Sequence, residues 1–161
     1  LGCIGLVCAE GHVLALSYGH TTPEGVRRDL KQKLADTRPL PEGDWSPEIR
    51  ELLQSYAAGE WADFSRVRLR WGTLTTFRRA VIRAVRRIRY GETSSYGEVA
   101  ASAGFPRAAR AVGTVMANNP LPLIVPCHRV VGSAGKLGGY SARMGVTMKV
   151  RLLEMEQAVG S

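Results

Sequence analysis

The first third of the chain alternates short apolar runs with turn-forming residues. Residues 3–8 and 12–18 are apolar and are separated by a glycine-containing turn, which predicts a β-hairpin. Residues 21–24 and 46–48 each place a hydroxyl residue before proline and glutamate, an order typical of the start of a helix. Apolar residues then recur every three or four positions, so we expect an amphipathic helix after each signal and a loop at residues 38–43.

Helical periodicity dominates the second half of the chain. One apolar stripe at helical spacing consists of Leu74, Phe77, Val81, Val85 and Ile88. We expect this helix to end by Gly91, and Ser95 with Glu98 then predicts a capping box at the start of the next helix. A turn at Gly104 precedes a further helix over residues 106–117. Two short helices joined by a glycine turn favour a helix-turn-helix, and a generic helical hairpin is the alternative.

The pattern between these two halves marks a domain boundary. Val67 and Leu69 alternate with arginines at positions 66, 68 and 70, which predicts a short strand or an extended linker. A chain of 161 residues is long enough for two small domains. We therefore expect residues 1–70 to form an N-terminal domain and residues 71–161 to form a second, mostly helical domain.

Charge is distributed unevenly along the chain. Residues 1–65 carry a net charge of −4, residues 66–91 carry +9 from nine arginines and no acid, and residues 92–161 carry +3. A basic middle and end indicate a polyanionic partner such as nucleic acid, and an arginine-rich helix face in water is the alternative. The apolar runs are far shorter than the ~20 residues of a membrane span, so we expect no membrane association.

The cysteine pattern bears on compartment and metal binding. Three cysteines, at Cys3, Cys8 and Cys127, do not predict a disulfide framework and favour a reducing, cytoplasmic setting. The spacing of Cys3 and Cys8 from His12 and His20 matches no compact zinc motif. We expect these four to be ordinary strand and turn residues, and we expect no metal.

Cys127 lies in the segment with the most specific chemistry. His128 follows it, and apolar residues at 123–125 and 130–131 flank the pair, which predicts a buried position. Most buried cysteines are inert, but a cysteine becomes a nucleophile when a base or a cation lowers its pKa. Adjacent side chains rarely point at each other, so the dipeptide alone leaves both interpretations open.

Ordered motifs around Cys127 resemble one protein family. Residues 126–130 read PCHRV, residues 90–100 read YGETSSYGEVA, and residues 107–113 read RAARAVG. Further matching blocks lie at residues 119–120, 139–141 and 149–156. In these motifs and in their order the chain resembles the O6-alkylguanine-DNA alkyltransferases. The resemblance implies an α/β fold, with a small N-terminal α/β domain that has a short antiparallel sheet and a mostly helical C-terminal domain that contains a helix-turn-helix.

The resemblance also implies a role for each matching residue. Cys127 would be the nucleophile, and His128 would take its proton through a water. Glu156 would orient His128, Asn119 would hold the turn, and Tyr96 would press on a phosphate and assist the leaving group. The implied DNA-binding residues are Tyr96, Ala108, Ala109, Arg110 and Gly113, with Arg110 replacing the extruded base in the stack. The implied pocket for the alkylated base is lined by Met116, Pro122, Val130, Gly138, Tyr140 and Ser141.

The function implied by the resemblance is direct reversal of DNA damage. An alkyl group would pass irreversibly from O6-alkylguanine in double-stranded DNA to Cys127 after the nucleotide flips out of the helix, with O4-alkylthymine left open as a further substrate. Such a protein acts once, without a cofactor, and is expected to be a monomer. An alkyltransferase-like protein that binds lesions without transfer is the main alternative, although the presence of Cys127 argues against it. A helix-turn-helix regulator would not need Cys127, His128 and Glu156 together, and a Cys-His hydrolase would turn over repeatedly.

Overall fold

The computed structural model of the protein describes residues 1–34, 46–140 and 144–159. Within these ranges the elements are β1 (Cys3–Ala9), β2 (His12–His20), α1 (Pro23–Leu34), α2 (Pro47–Ala57), α3 (Thr76–Val85), β3 (Ser94–Ser95), α4 (Tyr96–Ser102), α5 (Ala109–Ala117), β4 (Val130–Val131) and α6 (Gly145–Val159). The predicted loop at residues 38–43 and the predicted pocket residue Ser141 lie outside the described residues. No helix in the described part of the chain is long and apolar enough to cross a membrane.

The N-terminal hairpin and the helix that follows it form as predicted. Strands β1 and β2 pair antiparallel, and α1 packs on them through Val26 and Leu30, which share a small buried cluster with Val7 and Ala15. The Thr22 hydroxyl accepts a hydrogen bond of 3.2 Å from the amide of Gly25, so this side chain satisfies one free donor of the first turn of α1. The mixed α/β fold with a small antiparallel sheet is confirmed.

The arginine-rich helix α3 is shorter than the sequence predicts. It ends at Val85 and not near Gly91. The amides of Arg87 and Ile88 bond to carbonyls only three residues back, at 3.1 Å each, so the last turn tightens and the helix stops. Past this point the Arg86 guanidinium donates to the carbonyls of residues 64, 65 and 67, and it thereby fixes the chain that leads into α3.

Helices α4 and α5 pack against each other across a short turn. The predicted capping box is confirmed, because Ser95 accepts from the amide of Glu98 at 3.2 Å and the Glu98 carboxylate accepts from the amide of Ser95 at 2.6 Å. Gly104, with a φ of +86°, makes the turn in a conformation that disfavours any side chain. Helix α5 begins at residue 109 and not at 106, because the amide of Ala108 closes a separate turn onto Phe105.

The segment that carries Cys127 runs through the main core. Residues 121–131 are all buried, and the core around them draws on both the hairpin and the helices. The amide of Leu16 on β2 donates to the carbonyl of Pro120 at 2.9 Å, and β3 pairs in parallel with β4. The segment is therefore fixed at one end by the N-terminal part of the chain and at the other by the C-terminal part.

Candidate active site

Cys127 opens a short 3-10 turn and points its sulfur towards Asn119. The side chain is 4% exposed, and the Asn119 amide nitrogen lies 3.2 Å from Sγ. The same nitrogen donates to the carbonyl of Val125 at 2.9 Å, and the Asn119 oxygen accepts from the amide of Leu121 at 3.0 Å. Asn119 thus braces the loop that leads into the cysteine and also presents a hydrogen-bond donor to the sulfur.

The environment of Cys127 keeps its thiol protonated at rest. Burial raises the pKa of the thiol, and this effect outweighs the hydrogen bonds from Asn119 and Tyr140 and the positive charge of Lys149, which lower it. A protonated thiol is a poor nucleophile. Cys127 therefore needs a base that removes its proton when a substrate is in place.

His128 and Glu156 form the buried acid-base pair of the site. Both side chains are fully buried, and His128 Nε2 lies 2.8 Å from Glu156 Oε1. Glu156 also accepts from the Tyr56 hydroxyl at 2.6 Å, from Arg129 at 2.9 Å to each oxygen, and from the amide of Gly91 at 3.2 Å. Burial alone would raise the pKa of Glu156, but the donors from His128 and Arg129 outweigh it and lower the pKa to about 2. Glu156 is a carboxylate at neutral pH.

The partners of His128 determine which ring nitrogen serves as the base. Burial lowers the pKa of His128 more than Glu156 raises it, so the imidazole is neutral at rest. Nε2 faces a carboxylate and therefore carries the proton, which leaves Nδ1 with the free lone pair. Nδ1 is buried and has no hydrogen-bond partner among the described residues. A neutral imidazole with a free Nδ1, next to Cys127 in the chain, has the chemistry of a general base.

A pocket of about 420 Å³ reaches the sulfur of Cys127. Its lining consists of Tyr96, Gly113, Met116, Ala117, Cys127, Gly139 and Tyr140. Of the residues predicted for the pocket, Met116 and Tyr140 line it. Gly138 lies against Tyr96, where a β-carbon would come within 3.0 Å of the tyrosine hydroxyl. Pro122 and Val130 are buried and do not belong to the described lining.

Four of the five predicted DNA-binding residues lie on α5 or just before it, and the fifth, Tyr96, begins α4 and lines the pocket. Arg110 is exposed on the first turn of α5, and Ala108 and Ala109 are half-buried. Gly113 lies one turn further on, where a β-carbon would meet the Tyr96 ring at 3.9 Å. The small side chains of α5 therefore leave room between the helix surface and the mouth of the pocket.

Four residues of the site carried no predicted role. Tyr56 and Arg129 bind Glu156, as described above, and Tyr18 binds Tyr140 at 2.6 Å. Lys149 is fully buried, donates to the carbonyl of Val130 at 2.6 Å and lies 6.0 Å from the centroid of the Tyr96 ring. Arg129 and Lys149 lie in the motifs that carry the family resemblance. A charged residue next to apolar neighbours in those motifs is the signal that could have marked each as part of the site. Tyr18 lies on an ordinary strand and had no such signal.

The cysteines of β1 show no link to this chemistry. Cys3 and Cys8 are free thiols on β1 and lie among partly buried apolar side chains. No group of three or more histidine, cysteine or acidic side chains in the described part of the chain is arranged to hold a metal ion. Cys127 is the cysteine that shares a site with a histidine and a carboxylate.

Taken together, the fold and the site define a class of protein with a cysteine nucleophile. The thiol lines a pocket, and a histidine–carboxylate pair supplies a general base. A helix with small side chains lies beside the pocket. Residues 76–158 match the family described as "6-O-methylguanine DNA methyltransferase, DNA binding domain". The match spans more than half of the chain and includes every residue of the acid-base pair and the pocket.

Relatives named methylated-DNA–protein-cysteine methyltransferase support the same assignment. The protein of Mycobacterium leprae is 45% identical over 118 residues, which are 73% of this chain and 69% of the relative. That of Mycobacterium tuberculosis strain H37Rv is 48% identical over 121 residues, which are 71% of this chain and 70% of the relative. The chain belongs to the 6-O-methylguanine DNA methyltransferase family.

Solved structures agree with this assignment over nearly the whole chain. The crystal structure of Mycobacterium tuberculosis OGT in complex with DNA has a TM-score of 0.78 and 36% identity, with 97% of this chain and 87% of that chain covered. The O6-methylguanine-DNA methyltransferase of Pyrococcus kodakaraensis has a TM-score of 0.73 and 26% identity, with 95% and 90% covered. The likeness therefore includes the N-terminal hairpin as well as the part that matches the family.

Proposed function

We propose that this protein repairs DNA directly, by moving an alkyl group from O6 of guanine to Cys127 in a single irreversible reaction. The observation that carries the proposal is the meeting of three features at one point. A thiol forms the base of the pocket, a neutral histidine with an oriented Nδ1 follows it, and DNA-binding relatives share the fold. The protein is a methylated-DNA–protein-cysteine methyltransferase in its activity.

The transfer balances as a displacement at carbon. The thiol proton of Cys127 passes to His128 Nδ1, directly or through one water, as Sγ forms a bond to the alkyl carbon. The bond between that carbon and O6 of guanine breaks, and the leaving guanine takes up a proton. Burial keeps the Tyr96 hydroxyl protonated by raising its pKa, so it is able to donate to the leaving group. The products are an ordinary guanine and a thioether on Cys127, and the proton that His128 took up passes through solvent to restore the Tyr96 hydroxyl.

Access to O6 requires the nucleotide to leave the base stack. A duplex shields this atom, and flipping the nucleotide costs a few kcal/mol. Arg110 is long, charged and exposed among small residues, which suits it to fill the gap left in the stack. We assign α4 and α5 to a helix-turn-helix, in which Ala108, Ala109 and Gly113 allow close approach of the DNA. Tyr96 then lies between the helix and the pocket and contacts both the backbone and the base.

The same arrangement supports a single turnover. The thiolate of Cys127 is a poor leaving group from a neutral thioether, and the described lining of the pocket holds no second thiol that could accept the alkyl group. The acid-base pair of His128 and Glu156 returns to its starting state, whereas Cys127 does not. We therefore propose stoichiometric repair without a cofactor, by a monomer in the cytoplasm that works on nucleoid DNA. In this scheme residues 71–161 bind DNA and transfer the alkyl group, and residues 1–70 support them.

One mass measurement tests the proposal. Purified protein is mixed with duplex DNA that carries O6-methylguanine and is weighed by intact mass spectrometry. We expect a gain of one methyl group, located on Cys127 by peptide mapping, and no gain in Cys127→Ser. Cys8→Ser is the matched control and should gain the methyl group normally. Tight binding to the lesion without a mass gain would instead identify a lesion-binding protein, and repeated turnover would identify a hydrolase.

A further inference from the structure

A groove lined with arginines runs along the side of the protein away from the pocket. It has a volume of about 720 Å³ and lies between α3, the tip of the β1–β2 hairpin and the segment 66–72. We call it the arginine groove. The arginines that line it are Arg66, Arg68, Arg70, Arg79, Arg83 and Arg86. None of its lining residues lines the pocket at Cys127.

The geometry of α3 directs this groove away from α5. Phe77 and Val81 lie on the buried side of α3, and the Phe77 ring packs edge-on against Phe105 in the turn before α5, with centroids 5.1 Å apart. At 3.6 residues per turn, Arg79 and Arg83 fall on the opposite side of the helix from Phe77. The two faces of α3 therefore serve different surfaces, one packed on the α4–α5 pair and the other lining the arginine groove.

The second wall of the groove is a rigid row of cations. The backbone of residues 68–70 is held in an extended form by two backbone hydrogen bonds. The amide of Val13 donates to the carbonyl of Arg68 at 2.9 Å, and the amide of Arg70 donates to the carbonyl of Val13 at 3.0 Å. Val67 and Leu69 pack against the core, so Arg68 and Arg70 project outward about 6.6 Å apart, and Arg66 lies in the turn that precedes them. Regularly spaced guanidinium groups on a fixed backbone match the repeated phosphates of a nucleic acid strand.

Few carboxylates oppose these arginines, although Asp63, outside the lining, lies close enough to Arg66 and Arg86 for the charges to interact. Glu10 is the one acid in the lining, and it pairs with Arg70 at 2.8 Å. Arg86 is committed to backbone carbonyls. Arg66, Arg68, Arg79 and Arg83 remain exposed, and the lining as a whole carries a net charge of +5 from six arginines and one glutamate. A long groove with such a charge attracts a polyanion by releasing its counterions, whereas a single small anion would engage only part of it.

We propose that the arginine groove binds a second segment of duplex DNA while the α5 face holds the segment under repair. The proposal rests on DNA being the ligand of the α5 face, because DNA held there keeps other duplex segments close to the groove. Contact is made with phosphates and is independent of sequence and of damage. The protein is thereby able to hold two stretches of DNA and to pass between them without leaving the DNA.

Native mass spectrometry with a short undamaged duplex, too short for two protein molecules, tests the stoichiometry. We expect complexes of one protein with two duplexes at low salt. The double variant Arg68→Gln/Arg83→Gln should bind the first duplex normally, and its affinity for the second duplex should fall at least tenfold. The slope of log K against log salt concentration for the second duplex should decrease in magnitude by about 2. The matched control, Arg28→Gln/Lys31→Gln, removes the same charge from exposed positions on α1 and should still bind both duplexes.

Several results would overturn the arginine groove as a DNA site. These are complexes that never exceed one duplex per protein, a second duplex that binds equally well to the Arg68→Gln/Arg83→Gln variant, or an equal loss in the control variant. A second pair, Arg66→Gln/Arg79→Gln, repeats the test if the first variant melts early. Methyl transfer is measured separately on every variant. Loss of transfer in the unmodified protein would contradict the proposed function, and loss of the second duplex alone concerns only the groove.

Discussion

The hydroxyl groups of Tyr18 and Tyr140 lie 2.6 Å apart. Tyr18 is almost completely buried on β2, and Tyr140 lines the pocket beside Cys127. Burial raises the pKa of the Cys127 thiol, and the nearby Tyr140 hydroxyl lowers it in the opposite direction. A chain of two hydroxyl groups thus connects the N-terminal hairpin to the nucleophile.

Tyr18→Phe should slow alkyl transfer without weakening DNA binding. The change removes one hydroxyl and keeps the ring, so Tyr140 loses the partner that fixes its orientation towards the sulfur. A net hydrogen bond is worth about 1 kcal/mol, which corresponds to a rate lower by roughly fivefold. Single-turnover transfer from O6-methylguanine duplex measures the rate, and fluorescence anisotropy measures the affinity. Tyr90→Phe is the control, because the buried Tyr90 hydroxyl has no partner among the described residues. An unchanged rate in Tyr18→Phe would remove Tyr18 from the site.

Asn119 should affect both the fold and the thiol. Asn119→Ala removes the partners of the Leu121 amide and the Val125 carbonyl, so we expect a loss of about 1–3 kcal/mol in the free energy of unfolding. Asn119→Asp replaces the donor to sulfur with a negative charge, which raises the pKa of Cys127 and should slow transfer at least about tenfold. Urea unfolding and single-turnover rates measure the two effects. Asn118→Ala is the matched control, since the Asn118 side chain is exposed and donates to the Thr114 carbonyl on its own helix. Equal effects of both alanine variants would contradict a special role for Asn119.

Glu156 should make the protein sensitive to acid. Its folded pKa of about 2 lies below the ordinary glutamate value of 4.5. The carboxylate therefore contributes stability that is complete above pH 4.5 and is lost as the pH falls towards 2. Glu156→Gln leaves the buried Arg129 without its counter-charge, so we expect a loss of about 3–5 kcal/mol at pH 7 and a flatter profile between pH 4.5 and 2. Thermal unfolding at several pH values provides the measurement. Glu154→Gln, at an exposed position on the same helix, should behave like the unmodified protein.

The thiol of Cys127 should react slowly at neutral pH in the free protein. Burial raises its pKa above 9.0, so the thiolate fraction grows only in alkaline solution. In a Cys3→Ser/Cys8→Ser background, the rate of alkylation by iodoacetamide should continue to rise beyond pH 9. A midpoint below pH 7 would show that the resting site already holds a thiolate, and His128 would then not be needed as a base. Comparison with denatured protein supplies the reference rate for an ordinary cysteine.

Local patterns in the sequence predict much of the fold because they act over a few residues. The hairpin, the proline-initiated helices and the capping box of Ser95 and Glu98 depend on neighbouring side chains and form as predicted. The predicted end of α3 and the predicted start of α5 were wrong. A tightened last turn at Arg87 and a separate turn at Ala108 set those ends, and neither has a distinctive residue type.

The chemistry of the site was only partly predictable, because most of it comes from distant parts of the chain. Cys127 and His128 are adjacent, and the family resemblance identified Glu156. That Tyr56 on α2 donates to the same carboxylate oxygen that faces His128 depends on packing across 100 residues, which no local pattern reveals. The pairing of Tyr18 with Tyr140 spans 122 residues and has the same origin. The pocket assignments, including that of Ser141, stay predictions.

The convergence of donors on Glu156 ties reactivity to completed folding. Its donors come from helix α2, the turn after α3 and the cysteine segment, and Glu156 itself lies on α6, so all four parts must assemble before the imidazole has a defined tautomer. A chain cut short before residue 156, or one still emerging from the ribosome, would carry the thiol and His128 without the carboxylate that orients the imidazole. The irreversible step is thereby withheld from immature molecules, and none is consumed before it is able to read DNA.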